Sequence, residues 1–277
     1  MGSPRAAWAG DTGPRSDAGT ALLYLNLERR RIAPRARTVQ VAASLQCPNG
    51  VEAGYRAVLE KACAGGDLNP HLSRSIGSDA GMHDQLLNDW GMHHLHLGLV
   101  PEADGSMKRT GELLFVIVHP TEIFFVAVGR HQEWTSRRLI DAVNADWPHL
   151  LDGCRVPLYG PPASEWSEAA HLQMRKSNVL AVSALSTGEP ILAPGGGYAS
   201  SGHSVAVLRR LIDILDQTAQ LEARFQTLAP TILDHLAARE SAALPDFHLE
   251  PIANGGYAAV DVRNAILATL YDPDLPP

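Results

Sequence analysis

Residues 90–134, WGMHHLHLGLVPEADGSMKRTGELLFVIVHPTEIFFVAVGRHQEW, decide the fold because they hold three apolar stretches separated by a polar loop and a tight turn. Residues 92–100 alternate with period two, which is typical of a strand. Residues 112–119 are almost wholly apolar, so we expect a strand that is buried on both faces. A turn at Pro120-Thr121 then leads to the returning strand over 122–129. The stretch therefore predicts a three-stranded antiparallel meander.

The sequence on both sides of this meander predicts further short elements. Upstream, the expected elements are strands at 21–27 and 38–45, a helix over 51–64 that ends at Gly65-Gly66, and a short helix over 79–89 that starts at Ser78 or Asp79. Downstream, they are a helix over 135–146, a hairpin of 178–185 with 190–193, helices over 204–225 and about 230–240, and a strand near 256–261.

These elements predict an α+β protein in two parts, with an antiparallel β-meander and flanking helices followed by a β-hairpin plus a helical C-terminal part. A length of 277 residues suits one large domain or two modest ones, at roughly 100–200 residues each. We expect a disordered lead over 1–20 and a histidine-bearing domain over 20–152 with helices on one side of its sheet. The Pro-rich stretch 155–167 then separates it from a hairpin and helical domain over 165–277.

Composition excludes several classes of protein. With 45% hydrophobic residues the chain is neither disordered nor fibrous. Its apolar runs are only a few residues long, whereas a membrane-spanning helix needs about 20. The three cysteines, Cys47, Cys63 and Cys154, fit a reducing cytoplasm better than a disulfide framework.

Charge is unevenly distributed along the chain. The net charge of −7 argues against a dedicated duplex-DNA-binding protein. Residues 1–78, however, hold ten Lys and Arg against six Asp and Glu, a net charge of +4, while the two remaining segments are acidic. The basic excess is concentrated in five arginines, at positions 29, 30, 31, 35 and 37, which suit either a solvated edge or a phosphate-contacting patch.

The histidines of the first meander strand are the main candidates for chemistry. His94 and His96 share one face of that strand and His93 lies on the other, because side chains alternate. Two imidazoles about 6.5–7 Å apart can bind one metal or serve as an acid–base pair. The available companions are Lys108 with Arg109, Arg130 with His131, and the carboxylates Asp84, Asp89 and Glu133; surface charge on a helix is the simpler interpretation of Asp84 and Asp89.

A family resemblance rests on two short motifs in this stretch. They are Arg109, Gly111, Glu112 and Leu113 through Phe115, and then Val128, Gly129, Arg130 and His131. On these motifs, residues 90–134 resemble the core of the RelE/ParE toxin superfamily, whose members are small ribonuclease or gyrase-poisoning toxins. Leu114 or Phe115 stands where such a toxin usually carries a second arginine, and Trp134 cannot replace the phenol that many of them carry late in the chain.

The resemblance implies a toxin or phage-defence protein that cleaves RNA by acid–base chemistry without a metal or cofactor. His94 and His96 would then be base and acid, Arg109 would clamp the phosphate, and His131 would be an alternative acid. Lys108, Arg130 and Arg137 would bind substrate. An antitoxin or regulatory protein is an expected partner.

Two other classes of function stay open from the sequence. One is a zinc-dependent hydrolase in which His94, His96 and His131 are the metal ligands. The other is a non-enzymatic protein-interaction module. The 204–225 helix carries apolar residues on more than one face, including Val207, Leu211 and Ile214, so we also expect it to pack between elements or in a homodimer.

Overall fold

The structure, a computed structural model, describes residues 17–157, 166–238, 246–253, 255–271 and 273. The chain forms two compact units that divide between Arg209 and Arg210. The predicted lead lies outside the described residues up to position 16, and residues 17–20 already belong to a helix.

The central sheet of the first unit has four strands in the order β1-β4-β3-β2. They are β1 (Thr38–Val41), β2 (Met92–His96), β3 (Glu112–Val118) and β4 (Glu122–Arg130). Strands β2, β3 and β4 pair antiparallel in sequence order, which confirms the predicted meander. Strand β1 adds to it in parallel beside β4, an arrangement that the local sequence pattern does not specify.

Helices cover both faces of this sheet. The first unit contains α1 (Asp17–Arg30), α2 (Glu52–Ala64), α3 (Ser75–Ser78), α4 (Gln85–Trp90), α5 (Arg137–Asp146) and α6 (Glu168–Lys176). The sheet has a hydrophobic core on each face, and alternate residues of β3 point into one or the other. Phe115 packs with Leu139 and Val143 of α5, while Leu114 packs with Val58 of α2. The expectation of helices on one side was therefore wrong, and the continuous apolar runs of β3 and β4 are what allows two covered faces.

Two upstream predictions are corrected by the structure. Residues 21–27 form part of α1 rather than a strand, because Leu27 and Arg30 are buried on one face at helical spacing and the basic last turn complements the helix dipole. Residues 79–89 do not form one helix. A turn in which the Asp79 side chain accepts from the backbone N–H of Gly81 (2.9 Å) separates α3 from α4, and Asp84 caps α4 by accepting from the backbone N–H of Leu87 (3.0 Å).

The other predicted elements of this unit are present. Helix α2 ends at Gly65, whose φ of 79° is left-handed. The predicted hairpin is β5 (Val182–Ala184) with β6 (Pro190–Leu192). Leu185 and Ile191 of this hairpin are fully buried with α5, so the hairpin belongs to the first unit, upstream of the place where the compact units divide.

The second unit contains most of α7 (Val205–Ala237) and the antiparallel strands β7 (His248–Pro251), β8 (Tyr257–Asp261) and β9 (Ile266–Tyr271). Strand β8 confirms the strand predicted near 256–261. The two predicted helices are one, since Pro230 lies inside α7. Pro230 is exposed, and it removes a single backbone hydrogen bond on the solvent side of the helix.

None of the described helices has the length and apolar composition that a bilayer crossing requires. Cys47, Cys63 and Cys154 are free thiols.

Candidate active site

Three predicted histidines meet at one end of the sheet. The ring centres of His94 and His96 are 6.5 Å apart, and His131 lies 6.1 Å from His94 and 5.6 Å from His96. The indole of Trp134 adjoins the group, with ring centres 5.4 Å from His94 and 5.5 Å from His131. We call these four side chains the histidine cluster.

Strand register brings His131 to the other two rings. His96 pairs with Leu113 of β3, and Leu113 pairs with Gly129 of β4. His131 follows Gly129 by two residues, so it lies on the same end of the sheet as His96. His94 is two residues back along β2 on the same face, as the alternation of side chains predicted.

The imidazoles of the cluster are held in the neutral form. Burial, together with the neighbouring His94, His131 and the charge of Arg109, lowers the pKa of His96 to about 4. Burial likewise lowers the pKa of His94 and of His131, and the charge of Arg109 acts in the same direction on both. Arg109 is therefore close enough to influence all three rings.

Several polar atoms of the cluster are buried without a partner among the described residues. They are Nδ1 of His94, Nδ1 of His96 and Nε1 of Trp134. Unpaired buried polar atoms are uncommon in folded proteins and are often completed by a water or a ligand. Two imidazole nitrogens and one indole N–H of the cluster are thus buried with no partner among the described residues.

A close backbone contact holds the loop that carries Arg109. A Cβ atom on Gly98 would lie 1.9 Å from the Lys108 carbonyl oxygen, so only glycine allows this approach. The backbone N–H of Lys108 donates to the Val100 carbonyl oxygen (2.8 Å). Thr110 closes the loop, since its hydroxyl accepts from the backbone N–H of Leu97 (3.0 Å).

The turn after β4 is fixed by an ion pair. Glu133 accepts from the backbone N–H of Arg130 (3.0 Å) and from Nε of Arg138 (2.7 Å). This pair packs over Gly129, where a Cβ atom would lie 2.9 Å from the Glu133 carboxylate. Glu133 therefore positions the turn that carries His131 and Trp134.

A buried ion network is joined to the cluster through the Trp134 backbone, and sequence reasoning missed it. Asp89, which we had interpreted as surface charge, is 1% exposed and accepts from Nε of Arg175 (2.7 Å) and Nε2 of His171 (2.8 Å). Arg175 also donates to the Trp134 carbonyl oxygen and lies 4.5 Å above the Trp90 ring. The sequence signal for this network was that His171 and Arg175 are four residues apart on one helix face, and this spacing does not identify Asp89 as their partner.

The predicted substrate-binding residues do not all adjoin the cluster. Lys108 and Arg130 are exposed, and Arg130 lies 4.0 Å from Glu112. Arg137 instead lines a separate cleft with Trp90 and His171. Asp84 serves as the cap of α4.

The predicted zinc ligands are the three histidines of the cluster. In the part of the chain that the structure describes, no group of three His, Cys, Asp or Glu side chains is placed to hold a metal ion.

We compared the chain with protein-family models, with curated proteins and with solved structures, and no significant match was found. The resemblance of residues 90–134 to RelE/ParE toxins stays a prediction from sequence.

Proposed function

We propose that the histidine cluster cleaves RNA by acid–base chemistry that needs no metal. The observation that carries the proposal is the meeting of His94, His96 and His131 within 6.5 Å, under the charge of Arg109. A general base, a general acid and a cation are the three groups that transfer of a phosphodiester to its own 2′-hydroxyl requires.

His96 is suited to the role of base. A pKa of about 4 keeps its ring neutral at pH 7, and its Nδ1 has no other partner in the described structure. It takes the proton of the ribose 2′-hydroxyl while that oxygen forms a bond to the adjacent phosphorus. His94, which also has a partnerless Nδ1, is positioned to orient the same hydroxyl.

His131 is suited to the role of acid, because it is the least buried of the three rings. The negative charge of a bound phosphate raises the pKa of a neighbouring imidazole, which offsets the lowering that the cluster imposes. As the bond from phosphorus to the 5′-oxygen breaks, His131 gives that oxygen its proton. The products are a 2′,3′-cyclic phosphate and a 5′-hydroxyl.

Arg109 is suited to stabilise the phosphorane. Arg109 is exposed and its charge acts on all three rings, and a planar fork of N–H donors matches two phosphate oxygens.

A zinc-dependent hydrolase is the second candidate, and the unpaired Nδ1 atoms of His94 and His96 favour it. Neutral imidazoles are good zinc ligands, and a catalytic site needs three ligands plus water. The charge of Arg109 favours an anionic substrate over a divalent cation, so we rank this candidate below metal-free cleavage.

The test is cleavage of a mixed-sequence RNA in excess EDTA. We expect 2′,3′-cyclic phosphate ends and a rate loss of about 10²–10⁴-fold in His96→Ala and in His131→Ala. His149→Ala is the control, because that ring is exposed outside the cluster. Activity that EDTA abolishes and zinc restores would favour the hydrolase, and binding of a protein partner without any cleavage would favour the interaction module.

The pH–rate profile of an Arg109 variant is a second test, because loss of a purely structural residue would not shift it. Since its charge lowers the pKa of all three rings, Arg109→Gln shifts the acid limb of the pH–rate profile to higher pH besides slowing cleavage. An unshifted limb would contradict the assignment.

A toxin or defence role follows if cleavage is confirmed. We expect induced expression to arrest growth of a bacterial host, and His96→Ala to abolish the arrest. Capture of an inhibitory partner protein with the His96→Ala variant would then test for an antitoxin.

A further inference from the structure

A second cleft lies at the other end of β3, beside the turn between β3 and β4. Its volume is about 450 Å³. Arg29, Arg31, Arg35 and Arg37 line it, and none of the described residues lining it is Asp or Glu. We call it the arginine cleft.

The four guanidinium groups have no acidic partner in the described structure, where no carboxylate oxygen lies within 4.0 Å of them. Arg29 donates to the Gly195 carbonyl oxygen (2.6 Å), and Arg37 donates to the His119 carbonyl oxygen (2.9 Å). The charge of Asp84 raises the pKa of Arg29, but burial lowers that pKa by more.

Neutral carbonyl groups hold Arg29 and Arg37 in place without neutralising their charge. Arg37 is 7% exposed, and taking such a charge from water is costly unless an opposite charge compensates it. Burial accordingly lowers the pKa of Arg37 and of Arg29. An anion in the cleft supplies the missing compensation.

The remaining lining suits an organic group attached to that anion. Ile32, Ile117 and Leu151 contribute apolar walls, and the buried ring of His93 lies on the same lining. A volume of about 450 Å³ falls in the range of small-ligand sites, roughly 300–1,000 Å³.

We propose that the arginine cleft binds a phosphate ester of nucleotide size, with the phosphate on the arginines and the organic group against the apolar walls. Guanidinium groups recognise phosphate oxygens in pairs, which is why arginines without carboxylate partners favour this class of anion. The arginines and apolar walls that carry this proposal are not part of the histidine cluster, and His93 of the cleft lining lies on the opposite face of β2 from His94 and His96. The proposal therefore does not depend on RNA cleavage.

Binding is measured by calorimetry with two probes, ATP and an eight-nucleotide RNA carrying 2′-O-methyl groups, which cannot be cleaved. The variant is Arg31→Glu with Arg35→Glu, because both side chains are exposed. Arg209→Glu with Arg210→Glu makes the same change of charge on exposed positions outside the cleft. Arg31→Gln with Arg35→Gln is the milder alternative if the first pair fails to fold.

We expect ATP binding that weakens at least tenfold in the Arg31/Arg35 variants and persists in the Arg209/Arg210 control and in Arg109→Ala. If only the RNA binds, with the same dependence on Arg31 and Arg35, the phosphate ester that the cleft recognises is part of an RNA chain rather than a free nucleotide. The proposal is overturned if neither probe binds, or if the Arg31/Arg35 variants bind both probes as the wild type does. Loss of RNA cleavage in the histidine variants has no bearing on these outcomes.

Discussion

His93 and His96 face opposite sides of β2, and both are buried in the neutral form. Burial, with the nearby cations, lowers the pKa of each ring from 6.5 to about 4. In the unfolded chain the same rings take up a proton as the pH falls below about 6.5. The folded state therefore loses stability between about pH 6.5 and pH 4, by on the order of 3 kcal/mol for each ring.

We expect this loss to be smaller when one of the rings is removed. Between pH 7.5 and pH 4.5, His96→Gln should lose about 2.5 kcal/mol less of its unfolding free energy than the wild type. Urea denaturation at the two pH values measures the difference. His149→Gln, at an exposed position, should follow the wild type. Equal losses in His96→Gln and the wild type would show that His96 titrates normally in the folded state.

Among the elements of the fold, the loop between β2 and β3 determines where Arg109 lies. A methyl group on Gly98 would collide with the Lys108 carbonyl oxygen at 1.9 Å, whereas one on Gly111, at the far end of the same loop, meets nothing within 4 Å. Gly98→Ala should therefore cost about 1–3 kcal/mol of stability by overpacking, and it should slow RNA cleavage by moving Arg109.

Gly111→Ala is the matched control for this loop. It should keep both the melting temperature and the cleavage rate of the wild type. If Gly98→Ala cleaved RNA at the wild-type rate, the loop would not be what positions Arg109.

The elements that the sequence predicts correctly are those with a strong local pattern. Period two in residues 92–100 and the apolar runs of β3 and β4 determine the meander and place His94 and His96 on one face. The helix at 21–27 was missed because its buried face includes Arg30, a polar side chain that hides the helical period. The Asp89–Arg175 contact joins residues 86 positions apart, and no local pattern encodes such a pairing.

In the whole molecule, four of the five clustered arginines at positions 29, 30, 31, 35 and 37 line one cleft. The exception is Arg30, which does not line the cleft because its guanidinium donates to the carbonyl oxygens of Asp79 (2.7 Å) and Ser75 (3.0 Å). A net charge of −7 is thus compatible with anion binding, since local cations rather than the total charge meet the ligand.

The second unit carries an exposed apolar stripe on α7, where the predicted homodimer would form its interface. Ile212 and Leu215 of α7 are 55% and 48% exposed, and Ala219 continues the stripe one turn further. We expect light scattering after size exclusion to give a dimer at micromolar concentration, and Ile212→Glu with Leu215→Glu to give a monomer. Arg210→Glu makes the same change of net charge on another face and should stay dimeric. A wild-type monomer would contradict the prediction, because an interface that buries this stripe would then not form.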